Sequence, residues 1–293
     1  MIQALSVLIP TYHCRCKELV YSLHQQLMEQ PVTFEIIVVD DGSHDTACIQ
    51  ENQVITALPH CTYHIEEQNR GRAGVRNYLA HLAQYDYLLF IDGDMSIRND
   101  AFIAQYLENE SDVCYGGYVI PLKNDALQVN LRYRYELNNA VQRNASERNK
   151  QPFMDFHTSN FRVKRSIMLS LPLDERFTSY GYEDVLWGKT LRENGYTITH
   201  IDNPMGFCTF ESNPDFVSKT EEGLHTLLLF RNELRGYSRL LTLVDSIHIP
   251  LILSIIRFSH RLFGTLIRRN LCGPHPSLQL FKLYKFGYYL SHK

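Results

Sequence analysis

Two apolar runs constrain this chain most: Ile36-Ile37-Val38-Val39 and Tyr87-Leu88-Leu89-Phe90-Ile91, each leading directly into aspartate. A strand with one wet face alternates apolar and polar residues, whereas a continuously apolar strand has both faces covered. Ala4–Pro10, Phe34–Asp40, Thr62–Gln68 and Tyr87–Asp92 therefore read as strands. Between them Leu19, Val20, Leu23 and Leu27 recur at helical spacing, as do Leu79, Ala80, Leu82 and Ala83. The alternation predicts an α/β domain with a mostly parallel central sheet flanked by helices. Ligands of such sheets bind beyond the carboxyl ends of the strands.

Three acidic groups stand where that rule directs attention. Asp40-Asp41 follows one strand, Asp92-Gly93-Asp94 follows another, and Glu183-Asp184 opens a predicted helix that runs to Gly195. Each has a plain structural alternative: Asp41-Gly42-Ser43 is an ordinary turn signal, and acidic residues suit a helix N-terminus electrostatically. An Asp-x-Asp turn also has a chemical use. Its hard oxygens can hold Mg2+ or Mn2+ while leaving positions open for a diphosphate, and the metal acts as a Lewis acid.

Five segments occur in order: SVLIPTYH at 6–13, IIVVDDGS at 36–43, NRGRAGVRN at 69–77, YLLFIDGDM at 87–95 and YGYEDVLWG at 180–188. Together they resemble glycosyltransferase family 2, inverting nucleotide-sugar transferases with the Rossmann-like GT-A fold. The resemblance covers residues 4–230. It implies that Pro10 and Thr11 meet the nucleotide, and that Asp41 accepts the uracil N3–H, which makes UDP the expected nucleotide. Gly71, Arg76 and Asn77 match the family's N-x-G-x-x-x-A-R-N pattern, with Val75 in place of alanine. Arg76 would order the nucleotide pocket or support the carboxylates, or else is simply an exposed helical arginine. Asp92 would face the ribose and metal, and Asp94 would bind Mn2+ or Mg2+ directly.

On the acceptor side the resemblance makes Asp184 the catalytic base, which takes the acceptor hydroxyl proton as the new bond forms. Glu183 would hydrogen-bond acceptor hydroxyls, and Asn160 would line the acceptor segment. Trp187 is either a sugar-stacking platform or a core residue. Two departures stand out. Relatives often carry a histidine after an Asn-Pro pair as a further metal ligand, but Asn203-Pro204 leads into Met205-Gly206-Phe207-Cys208. His200 and His225 are substitutes in principle, though ordinary surface or core positions suit them better. The Q-x-x-R-W motif and multiple spans of processive synthases are missing, which favours transfer of a single sugar.

The formal charge of −3 conceals a division. Residues 231–293 hold ten Lys and Arg against Glu233 and Asp245, a net +8, and 1–230 carry −11. We expect a catalytic domain over 1–230, with a nucleotide half at 1–120 and an acceptor half at 121–230, and a basic helical appendage at 231–293. In that appendage Leu251–Ile267 places apolar residues opposite Ser254, Arg257, His260, Arg261, Thr265 and Arg268. This is an amphipathic helix too interrupted by charge to span a bilayer. It either packs on the protein or a second copy, or lies on an anionic membrane surface.

Nucleic acid is not an expected partner of so acidic a body; a nucleotide sugar and a glycan or lipid-linked acceptor are. The polar stretch Lys123–Gln151 reads as an exposed helix or a mobile loop. Seven scattered cysteines do not form a disulfide framework, and no second ligand pair completes a zinc site beside His13, Cys14 and Cys16. The N-terminal sequence lacks signal-peptide features, so the expected location is cytoplasmic, peripheral at the inner face of the cell membrane. Two rivals are a non-catalytic nucleotide-sugar-binding protein and a sugar nucleotidyltransferase. The second would need a Gly-rich basic loop where Thr11-Tyr12-His13-Cys14 stands.

Overall fold

The computed structural model describes residues 2–120, 127–139 and 144–293. The chain forms two compact units, Met1–Val119 with Gln142–Thr178 and Trp187–Cys208, and Ile120–Val141 with Ser179–Leu186 and Thr209–Lys293. In the first, β1 (Ala4–Thr11), α1 (Lys17–Met28), β2 (Thr33–Asp40), α2 (Thr46–Gln53), β3 (Cys61–Ile65), α3 (Gly71–Leu82) and β4 (Tyr87–Ile91) alternate as expected. There follow β5 (Met95–Ser96), α4 (Phe102–Glu108), β6 (Val113–Tyr115) and β7 (Tyr118–Val119). In the second unit α5 (Leu131–Asn139) comes first, and the chain returns to the first through α6 (Ala145–Arg148), β8 (Asn160–Lys164) and α7 (Arg165–Ser170). Helix α8 (Glu183–Glu193) opens in the second unit and continues into the first, ahead of β9 (Ile198–His200) and β10 (Met205–Phe207). The second unit is completed by α9 (Asn213–Leu229), α10 (Arg239–Ser246), α11 (Pro250–Leu271) and α12 (Leu278–His292).

The main sheet has the order β3-β2-β1-β4-β8-β6-β9. Pairings among β3, β2, β1 and β4 are parallel, as is β6 with β9, while β8 runs antiparallel to both its neighbours. The continuous apolar runs have the cause inferred for them. Val7, Ile9, Ile36, Val38, Leu89 and Ile91 face one core with Leu19, Val20, Leu23 and Leu27 of α1. Leu8, Ile37, Val39, Leu88 and Phe90 face the other with Ala73, Val75, Leu79 and Ala80 of α3. Alternate residues of each strand thus serve opposite faces. After β3 the chain crosses back to place β4 on the free side of β1, and this reversal opens a crevice at the carboxyl ends of β1 and β4.

The polar stretch Lys123–Gln151 is ordered by distant partners in its described part; residues 123–126 and 140–143 lie outside the described residues. Leu131 and Tyr133 are fully buried, and Arg132 pairs with Glu211. Arg148 is buried too, donating through Nε to His200 Nδ1 at 3.1 Å and through Nη2 to the Ile201 carbonyl at 2.7 Å. Arg132 and Arg148 thus have protein partners, whereas Gln128, Asn138, Asn144, Ser146, Glu147, Asn149, Lys150 and Gln151 are exposed.

The second unit has its own core of Leu131, Val217, Leu271, Phe281 and Tyr284. Helix α9, which precedes the charge boundary at 230, packs with α11 and α12 beyond it: Glu221 accepts from Arg268 Nε at 2.8 Å and from the Tyr284 hydroxyl at 2.6 Å. The change in composition therefore does not coincide with a packing boundary.

Candidate active site

At the end of β1 the buried Thr11 hydroxyl donates to the Val39 carbonyl at 3.2 Å, and the Asp41 N–H donates to the Thr11 carbonyl at 2.9 Å. Asp40 closes its own turn, accepting from the Ser43 N–H and hydroxyl, both at 2.8 Å. Gly42 has φ +70°, and a Cβ there would lie 2.8 Å from Asn69 N, so this turn requires glycine. Asn69 Nδ2 donates to the Asp41 carbonyl at 2.9 Å, while its Oδ1 accepts the Gly71 N–H at 2.9 Å. The Arg70 N–H donates to Asp41 Oδ1 at 2.8 Å. The Asn-Arg-Gly segment is thereby stitched to the Asp-Asp-Gly turn. Burial pushes the Asp41 carboxyl above its ordinary value, partly offset by the Arg70 and Gly71 amides.

Beyond β4, Gly93 lets the Asp-Gly-Asp turn lie directly on β1. A Cβ at 93 would fall 2.7 Å from Thr11 Cγ2 and 3.3 Å from the Pro10 carbonyl. Asp92 is half-buried and ion-paired to the buried Arg76, with Arg72 at 3.8 Å. Arg76 also donates to the Arg72 carbonyl at 2.8 Å. Asp94 is exposed, and its carbonyl accepts the Cys208 N–H at 3.1 Å just after β10. The neighbouring Cys14 thiol is pushed up to about 12 by burial and by the Asp94 charge, which keeps it protonated.

Pro10, Thr11, Asp41, Gly71, Asp92 and Asp94 thus gather at the carboxyl ends of β1, β2 and β4, with Arg76 beneath them. Three of the candidate site residues have their side chains engaged within the protein. Asn77 spends its amide on Leu173 and Glu175, donating at 2.9 and 2.8 Å and accepting the Leu173 N–H at 3.0 Å. Asn160 is fully buried, accepting from the Tyr106 hydroxyl at 2.8 Å and donating to Gly117 and Asn203 carbonyls. Trp187 is 2% exposed between Phe156 and Phe161, with its indole N–H on the Leu171 carbonyl at 2.8 Å, so it offers no face to a sugar. Sequence reasoning also missed Asn69 and Arg72. Their signal lay within the Asn-Arg-Gly-Arg run, where an Asn two residues before a glycine suits an Asx turn.

Glu183 and Asp184 form the first turn of α8, Glu183 buried and Asp184 half-buried. The preceding Gly181 and Tyr182 both have positive φ, +94° and +73°. A left-handed bulky residue costs about 1–3 kcal/mol, and such strain concentrates at functional sites. Asp184 Oδ1 accepts the Val185 N–H at 2.8 Å.

The histidine candidates do not supplement Asp94. His200 is buried, its Nδ1 occupied by Arg148 and its Nε2 donating to the Pro152 carbonyl at 2.9 Å. Burial and the neighbouring guanidinium lower its pKa to about 4. His225 is exposed on α9. Among the described residues, no three His, Cys, Asp or Glu side chains converge as a metal cage. An exposed hard carboxylate on a turn does fit a divalent ion whose remaining ligands come from phosphates and water.

Residues 6–168, more than half the chain, match the family model described as Glycosyl transferase family 2. An uncharacterized glycosyltransferase of Haemophilus influenzae is 30% identical over 117 residues, covering 39% of this chain and 46% of the relative. The match thus spans less than half of that relative's length. A mannosyltransferase of Pyrobaculum calidifontis, solved with GDP-Man and Mn2+, aligns over 99% of this chain and 85% of its own at 13% identity and TM-score 0.55. The glucosyl-3-phosphoglycerate synthase of Mycobacterium tuberculosis, solved with Mn2+, UDP and glucosyl-3-phosphoglycerate, aligns over 78% and 79% at 16% identity and TM-score 0.50. With its sheet order, its paired strand-end aspartates and these likenesses, the chain belongs to glycosyl transferase family 2 and has the GT-A fold.

Proposed function

We propose that the chain is an inverting glycosyltransferase that moves one sugar from a UDP-sugar to a glycan or lipid-linked glycan. It works in the cytoplasm at the inner face of the cell membrane. The observation that carries this reading is the gathering of Asp41, Asp92 and Asp94 around the crevice between β1 and β4. Pro10 and Thr11 bear on the nucleotide through their backbone, and Gly71, with no atom within 4 Å of the place its Cβ would take, leaves room beside it. Asp41 accepts the uracil N3–H. Asp92, held by Arg76, is oriented toward ribose and is already neutralised, so the metal falls to Asp94 together with the donor diphosphate. Mg2+ or Mn2+, when bound, would neutralise charge on the departing diphosphate.

On the acceptor side, Asp184 takes the hydroxyl proton as the acceptor oxygen attacks the sugar C1 and the diphosphate leaves from the opposite side, inverting that carbon. Glu183 holds acceptor hydroxyls. The UDP and Mn2+ bound by the Mycobacterium tuberculosis synthase support this donor, and the GDP-Man complex makes a guanosine donor the comparison to run.

The test is release of UDP from a panel of UDP-sugars, with GDP-sugars in parallel. Release should require Mg2+ or Mn2+, and Asp94→Asn should lower it about 100-fold or more. Tight UDP binding with no turnover across donors and acceptors would make the protein a nucleotide-sugar-binding module instead.

A further inference from the structure

Helix α11 presents to solvent the side that a soluble helix normally hides. Its covered side carries Gly264 and Leu271, both buried, and Leu253, Ile256, Arg257, His260, Ile267 and Arg268, each half-covered. The contacts on that side are mixed: Leu271 and Ile267 join the apolar core of the second unit, while Arg257 Nε donates to the Leu290 carbonyl at 2.8 Å, Arg268 pairs with Glu221, and the His260 ring lies 5.1 Å from that of Tyr284. The outward side carries Leu251 (67% exposed), Ile255 (54%), Phe258 (67%), Leu262 (59%), Phe263 (49%) and Leu266 (62%). From 251 to 266 this stripe runs about 22 Å. Soluble monomers rarely leave a contiguous apolar face beyond a few hundred Å2 in water.

Charge identifies what covers it. Residues 246–293 contain seven Lys and Arg and no Asp or Glu. Arg261 and Arg269 are exposed beside or at the end of the stripe, and Lys282 is exposed on α12. Two copies joined through this face would bring two wholly cationic segments together, whereas acidic headgroups complement them. A cleft of about 350 Å3 between α11 and α12, lined by His260, Arg261, Arg268, Tyr288, Ser291 and His292, follows the basic flank and could seat a headgroup phosphate. Contrary to the sequence expectation, α11 is long and apolar enough by length and composition to cross a membrane. Crossing would, however, draw Arg257, His260 and Arg261 into hydrocarbon. Lying flat leaves those groups at headgroup level.

We propose that α11 is an interfacial helix that sinks its outward apolar stripe into an anionic bilayer surface, with Arg261 and Arg269 at the headgroups. The inference rests on the membrane placement proposed above and supplies its docking element, but it does not depend on sugar transfer. The test mixes the full chain with vesicles of phosphatidylcholine alone or with phosphatidylglycerol, and measures co-sedimentation. The protein should follow the anionic vesicles, leave them in high salt, and be stripped by alkaline carbonate. Phe258→Ser with Leu262→Ser should lower partitioning about 100-fold. Arg261→Glu with Arg269→Glu should lower it at least about tenfold. Circular dichroism melts establish that these variants remain folded.

Absence of sedimentation, equal binding to neutral vesicles, or retention through carbonate would each overturn the proposal. So would a stable dimer, seen by light scattering, that the Phe258 and Leu262 changes split. Sugar transfer to a water-soluble acceptor, read as UDP release, should survive those changes, so failure to dock and failure to transfer sugar are separable.

Discussion

Helices α1 and α11 are both amphipathic, yet only α1 turns its main apolar stripe inward. Helix α1 hides Leu19, Val20, Leu23 and Leu27 against strands whose facing residues include Val7 and Val38, and leaves Glu18 and Gln25 in water. Helix α11 turns Arg257, His260 and Arg268 toward its neighbours and leaves leucine and phenylalanine outside. A 3.6-residue period establishes that a helix has two unlike faces. Which face turns inward depends on what the fold sets opposite. For α1 that is an apolar sheet. For α11 it is a mixed surface, Glu221, the Tyr284 ring and the Leu290 carbonyl beside the core residues that Ile267 and Leu271 join.

The contrast can be attacked where its consequences are largest. Leu23→Ala should cost about 2–5 kcal/mol, because it removes transfer energy and opens a cavity under the sheet. Urea unfolding measures this, and a loss under about 1 kcal/mol would mean that α1 is not anchored as described. Arg76→Met probes a buried cation in the same unit. It should cost about 2 kcal/mol, below the ~3–5 kcal/mol of a fully buried broken pair, since Asp92 keeps water contact and Arg72. The same unfolding curves report it, and a neutral result would show that the pair contributes nothing to folding. Leu262→Ser, without vesicles, should change stability by no more than about 0.5 kcal/mol. A loss comparable to that of Leu23→Ala would mean that the α11 stripe is covered by protein and would erase the contrast.

Much of the first unit was legible because its strands are covered on both faces and so advertise themselves as unbroken apolar runs. The carboxylates at their ends were legible for the same reason, since the sheet rule says where to look. What could not be read is pairing at long range. Nothing near Asn77 or Asn160 in sequence reveals that their amides are taken by Leu173, Glu175, Tyr106, Gly117 and Asn203. Within a polar run that is mostly exposed, Arg148 could not be singled out as buried because its partner His200 lies 52 residues away. Trp187, one turn after Asp184, looked equally suited to a sugar and to a core until Phe156 and Phe161 were seen around it. In α11 the periodicity was plain and the orientation was not.

The hydrogen at Gly93 has a consequence for how this protein can change. Because the space above it is filled by Thr11 Cγ2, the identities allowed at 11 and 93 form a single choice. A methyl gained at 93 requires one given up at 11, where serine would retain the hydroxyl on Val39, and it also requires the Pro10 carbonyl at 3.3 Å to give way slightly. Residues 82 apart in sequence therefore share one small volume. Lineages that gain a side chain at 93 should also carry a smaller residue at 11.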